Sequence, residues 1–210
     1  MQIKIHNWKS HKFRPEIIKS GTVRAIPANA RLGTWKDFKA RNREHYTFQS
    51  KPSHIYYGQH EISYPHLVLN DAAGRTLFVL GYLPPHMFSG TQKHIEIQNL
   101  QRDVQKDGNN RRLTQEAKRL ADEFKGKTGI NADEFLMSEF IYLHKEELLK
   151  GVKMYILDDP KHHETVASTR DRFCKKTPVT LRTVETPEGK TAIRGYEIDI
   201  GKERIKWIFR

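Results

Sequence analysis

One cysteine in 210 residues, Cys174, leaves no internal disulfide framework and fits a reducing compartment. No stretch approaches the roughly 18–20 consecutive apolar residues of a membrane-spanning helix, so no membrane partner is expected. The opening MQIKIHNWKSHKFRPEII carries charges without an apolar run of the secretory kind. No signal peptide is read there, and a cytoplasmic location is expected. Internal repeats and low-complexity linkers are missing, which makes residues 1–210 a single domain with an irregular segment at about 10–32. Acidic residues are scarce: 25 Asp and Glu face 37 Lys and Arg, a formal net charge of +12. Such an excess attracts polyanions, among them nucleic acids and phosphate-rich cofactors. No Lys/Arg run is long enough to form a basic tail, so a generally basic surface explains the charge equally well. The HExxH spacing of metalloproteases is lacking too. His162-His163-Glu164, near Asp158 and Asp159, holds metal-capable side chains, but adjacent histidines diverge on regular structure. A polar loop is expected there and no metal site is assigned. Cys174 has no His/Asn partner motif and reads as a buried thiol.

What is present reads as alternating strands followed by helices. Thr34 is placed to cap a short helix, WKDFKARN, with Trp35 and Phe38 on one face. HIYYG (54–58), HLVLN (66–70), TLFVLGYL (76–83) and HIEIQNL (94–100) read as strands, and Asn70–Gly74 as the turn of an antiparallel hairpin. Leu113, Ala117, Leu120, Ala121 and Phe124 share one helical face, and Gly126 and Gly129 stop that helix. A second helix is expected from Asn131, with Glu134 completing a capping box and Phe135, Leu136, Phe140 and Leu143 as its buried stripe. VKMYIL (152–157), VTLRTV (179–184) and TAIRGYEIDI (191–200) are further strands, 162–174 a possible helix, and RIKWIF a last strand. The fold class is α+β: a mixed, mainly antiparallel sheet with a central β-loop-α unit and flanking helices.

That central unit, residues 95–125, is the most informative stretch. An alternating strand enters a polar loop, Gln105-Lys106-Asp107-Gly108-Asn109-Asn110, and then Arg111-Arg112-Leu113 opens the helix. A Gly-containing loop at a helix N-terminus is suited to phosphate, because its free N–H groups and about half a positive charge of helix dipole face the ligand. The alternative is a polar loop that merely caps a helix.

The segment IEIQNLQRDVQKDGNNRRLTQEAKRLADEF resembles the acyl-CoA-binding motif of the GCN5-related N-acetyltransferase (GNAT) superfamily, an Arg/Gln-x-x-Gly-x-Gly/Ala loop between a strand and a helix. The resemblance implies a GNAT-like sheet and transfer of an acyl group from acetyl-CoA, or another acyl-CoA, to an amine acceptor. It further implies that Gln105, Gly108, Asn109, Asn110, Arg111 and Arg112 grip the phosphates. Backbone groups of Leu100 and Val104 would pair with the pantetheine arm. Such chemistry requires orienting the amine, removing its proton and polarising the thioester. Glu96 is the candidate general base, with His94 and Gln98 placing a water; the alternative for Glu96 is a solvent-facing strand carboxylate.

Other expectations remain open. Glu96-x-Gln98 with Asp71 or Glu61 could hold Mg²⁺ in a nuclease, which would suit the basic charge. Tyr56, Tyr57, Tyr64, Tyr82 and Phe88 could stack single-stranded nucleic acid, or simply fill the core. A third possibility is a non-catalytic acetyltransferase-like scaffold. Asn110 stands where the GNAT motif has a small residue, and Ala167–Phe173 contains no tyrosine.

Overall fold

The computed structural model describes residues 33–57, 60–88, 93–101, 104–107, 110–113, 115–158, 169–186 and 189–210, with backbone alone within 52–63, within 101–113 and at 186. The chain forms helix α1 (Trp35–Asn42), then strands β1 (Tyr46–Tyr57), β2 (His60–Asp71), β3 (Thr76–Leu83) and β4 (His94–Gln101). A two-stranded ribbon follows, β5 (Val104–Asp107) and β6 (Asn110–Leu113). Helices α2 (Gln115–Thr128), α3 (Ala132–Leu143) and α4 (Lys145–Leu149) lead to β7 (Lys153–Leu157). Residues 169–173 are helical, and β8 (Val179–Thr186), β9 (Gly189–Glu197) and α5 (Lys202–Phe209) close the described chain. Residues 2–8, QIKIHNW, whose alternation suggests a short strand, and His162-His163-Glu164 lie outside the described residues.

Local chemistry explains several boundaries. Thr34 caps α1 as its sequence suggests: its hydroxyl accepts from the Asp37 N–H at 3.3 Å, while Asp37 accepts from the Thr34 N–H at 2.7 Å. The β2–β3 turn is held by Asp71 Oδ1, which accepts from the N–H groups of Ala73 at 3.0 Å and Arg75 at 2.8 Å. Gly74 takes the positive φ of +79° that this turn requires. Helix α2 passes through Gly126 and ends at Gly129, where φ is +78°.

Three expectations are corrected. Asn131 occupies the N-cap of α3 without a side-chain capping bond: the Glu134 N–H donates to Asp133 Oδ1 at 2.9 Å, and the Glu134 carboxylate accepts from Arg204 at 2.6 Å. Leu143 is 54% exposed, since the helix breaks at His144 before α4. RIKWIF is helical: Arg204, Trp207 and Ile208 are buried at helical spacing, and Gly201 is the N-cap.

The seven main strands form one sheet in the order β1-β2-β3-β4-β7-β9-β8. Every neighbouring pair is antiparallel except β4 and β7, which are parallel and joined through α2, α3 and α4. Leu67, Leu69, Leu80, Ile95, Ile97, Leu100, Met154 and Ile156 meet residues from α1, α2, α3 and α5 in one core. α3 is its centre, buried along Ala132–Ile141. Ion pairs fasten α3 to later elements: Asp133 binds Arg172 and accepts from the Thr169 hydroxyl at 2.5 Å, and Glu134 binds Arg204 and, at 3.6 Å, Arg172. No helix among the described residues is long and apolar enough to cross a membrane.

Candidate functional site on the parallel strand pair

β4 delivers two kinds of side chain to opposite faces. Ile95, Ile97 and Leu100 enter the helical core, whereas His94, Glu96 and Asn99 belong to the other face. The register with β3 steps from Gly81↔Asn99 to Tyr82↔Ile97, so Gln98 is an extra residue, a β-bulge. Bulges re-aim side chains and recur beside functional sites. Here the bulge lets Gln98 turn back onto Glu96.

The sequence-derived trio is therefore brought together. Glu96 is fully buried rather than solvent-facing. It accepts from His94 Nε2 at 3.1 Å, from Gln98 Nε2, and from both terminal nitrogens of Arg182, Nη2 at 2.8 Å among them. Burial opposes ionisation of Glu96, but the bonds from His94, Arg182 and Gln98 outweigh it and hold its carboxyl below the ordinary range. With Glu96 ionised, the bond to it favours the arrangement in which His94 Nε2 carries the donated proton. The ring itself is fixed by Phe88, stacked at 4.2 Å, and by Tyr155, edge-on at 5.4 Å. Arg182 lies over the outer face of Phe88 at 5.5 Å.

Arg182 is the residue that sequence reasoning missed. It stands on β8, separated from β4 by β7 and β9, and nothing in VTLRTV marks it as a partner of residue 96. Only the insertion of β9 between β7 and β8, with side-chain-free Gly195 facing Leu157, reveals the approach.

A second polar group shares this face. Asn99 Oδ1 accepts from the Gly81 N–H at 2.7 Å, which turns its amide nitrogen toward His66 Nε2 at 3.3 Å and the Tyr64 hydroxyl at 3.4 Å. Burial pushes the His66 imidazole down, against a smaller raising effect of the Tyr64 backbone. His66 is thus held neutral, with Nε2 as acceptor. Gly81 is required by packing, since a Cβ there would stand 2.6 Å from both Asn99 Oδ1 and His66 Nε2.

The parallel ladder between β4 and β7 is short. It runs from His94↔Lys153 to Ile97↔Ile156. β4 continues to Gln101, paired with β3 through Val79↔Gln101, while β7 turns its last pairs, through Leu157↔Gly195, to β9. The ladder ends at Ile97 and Ile156, one residue short of the last residue of β7, Leu157, and Leu100 lies on the part of β4 that extends beyond it.

The expected phosphate loop is arranged differently. Val104 to Asp107 and Asn110 to Leu113 pair as an antiparallel ribbon, with Gln105↔Arg112, Lys106↔Arg111 and Asp107↔Asn110 in register. The helix therefore starts at Gln115 and not at Arg111, because the residues before it are spent on strand pairing. Gly108 and Asn109 lie outside the described residues.

Of the other candidates, the side chains of Glu61, Tyr56 and Tyr57 lie outside the described residues. Asp71 sits at the β2–β3 turn, bound to Arg75, while Glu96 is opposite Leu83 at the far end of β3. Seven residues of strand separate the two positions by roughly 20 Å, so they cannot share one Mg²⁺. No metal-capable cluster occurs among the described residues. Tyr82 packs against Phe140 at 4.7 Å and Tyr64 against His66 at 4.7 Å, which gives both a packing role. Burial pushes the Cys174 thiol up to about 12, so it is inert as a nucleophile.

Comparison with known proteins finds no matching family model, no matching curated protein and no matching solved structure.

Proposed function

We propose that this protein transfers an acyl group from acetyl-CoA, or another acyl-CoA, to an amine, on a GNAT-like sheet. The observation that carries the proposal is that β4 runs on to Gln101 after its ladder with the short β7 ends, at four pairs. Beyond it, β4 has backbone groups along Gln98–Gln101 on the side away from β3, the kind of edge along which an extended amide-bearing arm pairs as an added strand. Pantetheine is such an arm, and Leu100 stands within that edge as the GNAT resemblance implies. The bulge at Gln98 is placed where the arm's thioester would end.

In this reading the nearby side chains divide the work. Glu96 stays ionised, fixes the His94 tautomer and balances the imidazolium that forms when His94 takes the amine proton. Arg182 and Gln98 hold the carboxylate in place. Glu96 therefore acts through His94 in preference to taking the proton itself, since its oxygens already accept from three side chains. Arg111 and Arg112 of β6, with the N-terminus of α2, are the proposed phosphate contacts.

Acetyl-CoA at about 100 times its dissociation constant is expected to add about 2.7 kcal/mol of stability, which raises the melting temperature by roughly 5–10 °C. Differential scanning fluorimetry with acetyl-CoA, a longer acyl-CoA and free adenosine checks this. No shift with either acyl-CoA would leave the fold as a non-catalytic scaffold.

A further inference from the structure

The strand row that contains Glu96 carries a second carboxylate. Tyr155 of β7 is in register with Glu96 on one side and with Glu197 of β9 on the other. Both carboxylates are matched by cations: Glu96 by Arg182, and Glu197 by Lys175 at 2.8 Å and Lys153 at 3.5 Å. Among the described residues this row thus offers two carboxylates and three cations. A polyamine or a lysine side chain would find no unmatched carboxylate there, and would have to approach a chain of net charge +12. The field steers anions inward and repels cationic amines.

Lys153 and Lys175 are half-exposed, at 56% and 43%, so they can exchange a carboxylate for a phosphate with little loss. The excess positive charge is spread along the chain, farther than one small anion can reach. A strand with a phosphate at every nucleotide uses such a distribution.

We infer that the acceptor amine is borne by a nucleic acid, whose phosphates meet Lys153, Lys175 and the basic surface while the amine reaches His94. This rests on the acyl-CoA reading of the same site. The amine nitrogen attacks the thioester carbonyl carbon, so a C–N bond forms and the C–S bond breaks. The amine proton passes to His94 and then to the departing thiolate. The products are an amide and the free CoA thiol, and no further reactant is needed.

The test offers radiolabelled acetyl-CoA and the full chain four acceptors in separate reactions: mixed aminoacyl-tRNA, the same tRNA deacylated, a lysine-containing peptide and spermidine. Label is expected to enter RNA at least tenfold faster than peptide or spermidine. With about three phosphate contacts, the RNA rate falls on the order of tens of fold between 50 and 200 mM salt. Mild base releases label from an aminoacyl ester and spares label on a base amine, which separates the two sources. Combining Lys153→Gln with Lys175→Gln should raise the KM for RNA several-fold and leave acetyl-CoA binding unchanged. Faster labelling of spermidine or peptide overturns the inference, as does unlabelled RNA with a protein that binds acetyl-CoA. A protein that does not bind acetyl-CoA overturns the underlying acyltransferase reading instead.

Discussion

Replacing Glu96 with alanine is expected to lower stability by about 3 kcal/mol, and so the melting temperature by roughly 6–12 °C. The substitution leaves the Arg182 guanidinium and the His94 ring without the fully buried carboxylate they share. The figure is the lower end for removing one member of a buried ion pair, because Arg182 retains solvent contact and packs on Phe88. The loss should depend on pH in one direction. Glu96 is held below the ordinary carboxylate range, so its stabilising contribution is complete above about pH 4.3, the unfolded value, and fades as pH falls through the lower folded value. Urea titrations of wild type and Glu96→Ala should therefore differ most at neutral pH and converge in acid. A difference that is constant from pH 7 to pH 3 would contradict the ion pair. Transfer activity, if measured with Glu96→Gln to preserve shape, should fall at least about 100-fold.

Phe135→Ala should be the most damaging core change, at about 4 kcal/mol, or roughly 8–16 °C. Phe135 is fully buried at the middle of an aromatic cluster, with ring centroids of Tyr46 at 4.6 Å, Trp35 at 4.9 Å and Phe124 at 5.3 Å. Those partners come from β1, α1 and α2, so the cavity would loosen three elements from α3 together. Phe135→Leu keeps most of the volume and should cost less than half as much. Denaturant midpoints for the pair of variants check the ratio. Equal losses would mean that the site collapses onto either side chain.

The sequence revealed the strands because their apolar residues alternate or run together. HLVLN and TLFVLGYL each lie within a strand, all of VKMYIL but its first residue forms β7, and Asp71 and Gly74 make the turn that their types suggest. α1 was legible through Thr34 and the apolar pair Trp35 and Phe38. The tail was not: RIKWIF alternates as well as a strand, and only the burial of Arg204, Trp207 and Ile208 on one side shows the helix. At the site, His94, Glu96 and Gln98 could be grouped because they follow one another at strand spacing. Arg182 could not, since its contact depends on long-range strand order. Residues 104–113 were misread for a related reason. Gly-Asn flanked by polar residues is compatible with a hairpin as readily as with a loop before a helix, and the pairing of 104–107 with 110–113 decides between them.

The central claim is that an acyl-CoA lies along the edge of β4 beyond the end of its ladder with β7. Backbone amide hydrogen exchange with and without saturating acetyl-CoA tests it directly. Protection within Gln98–Gln101 is expected to rise at least tenfold on binding, with smaller changes along the β2–β3 ladder. Unchanged exchange within Gln98–Gln101 in the presence of saturating acetyl-CoA would contradict it.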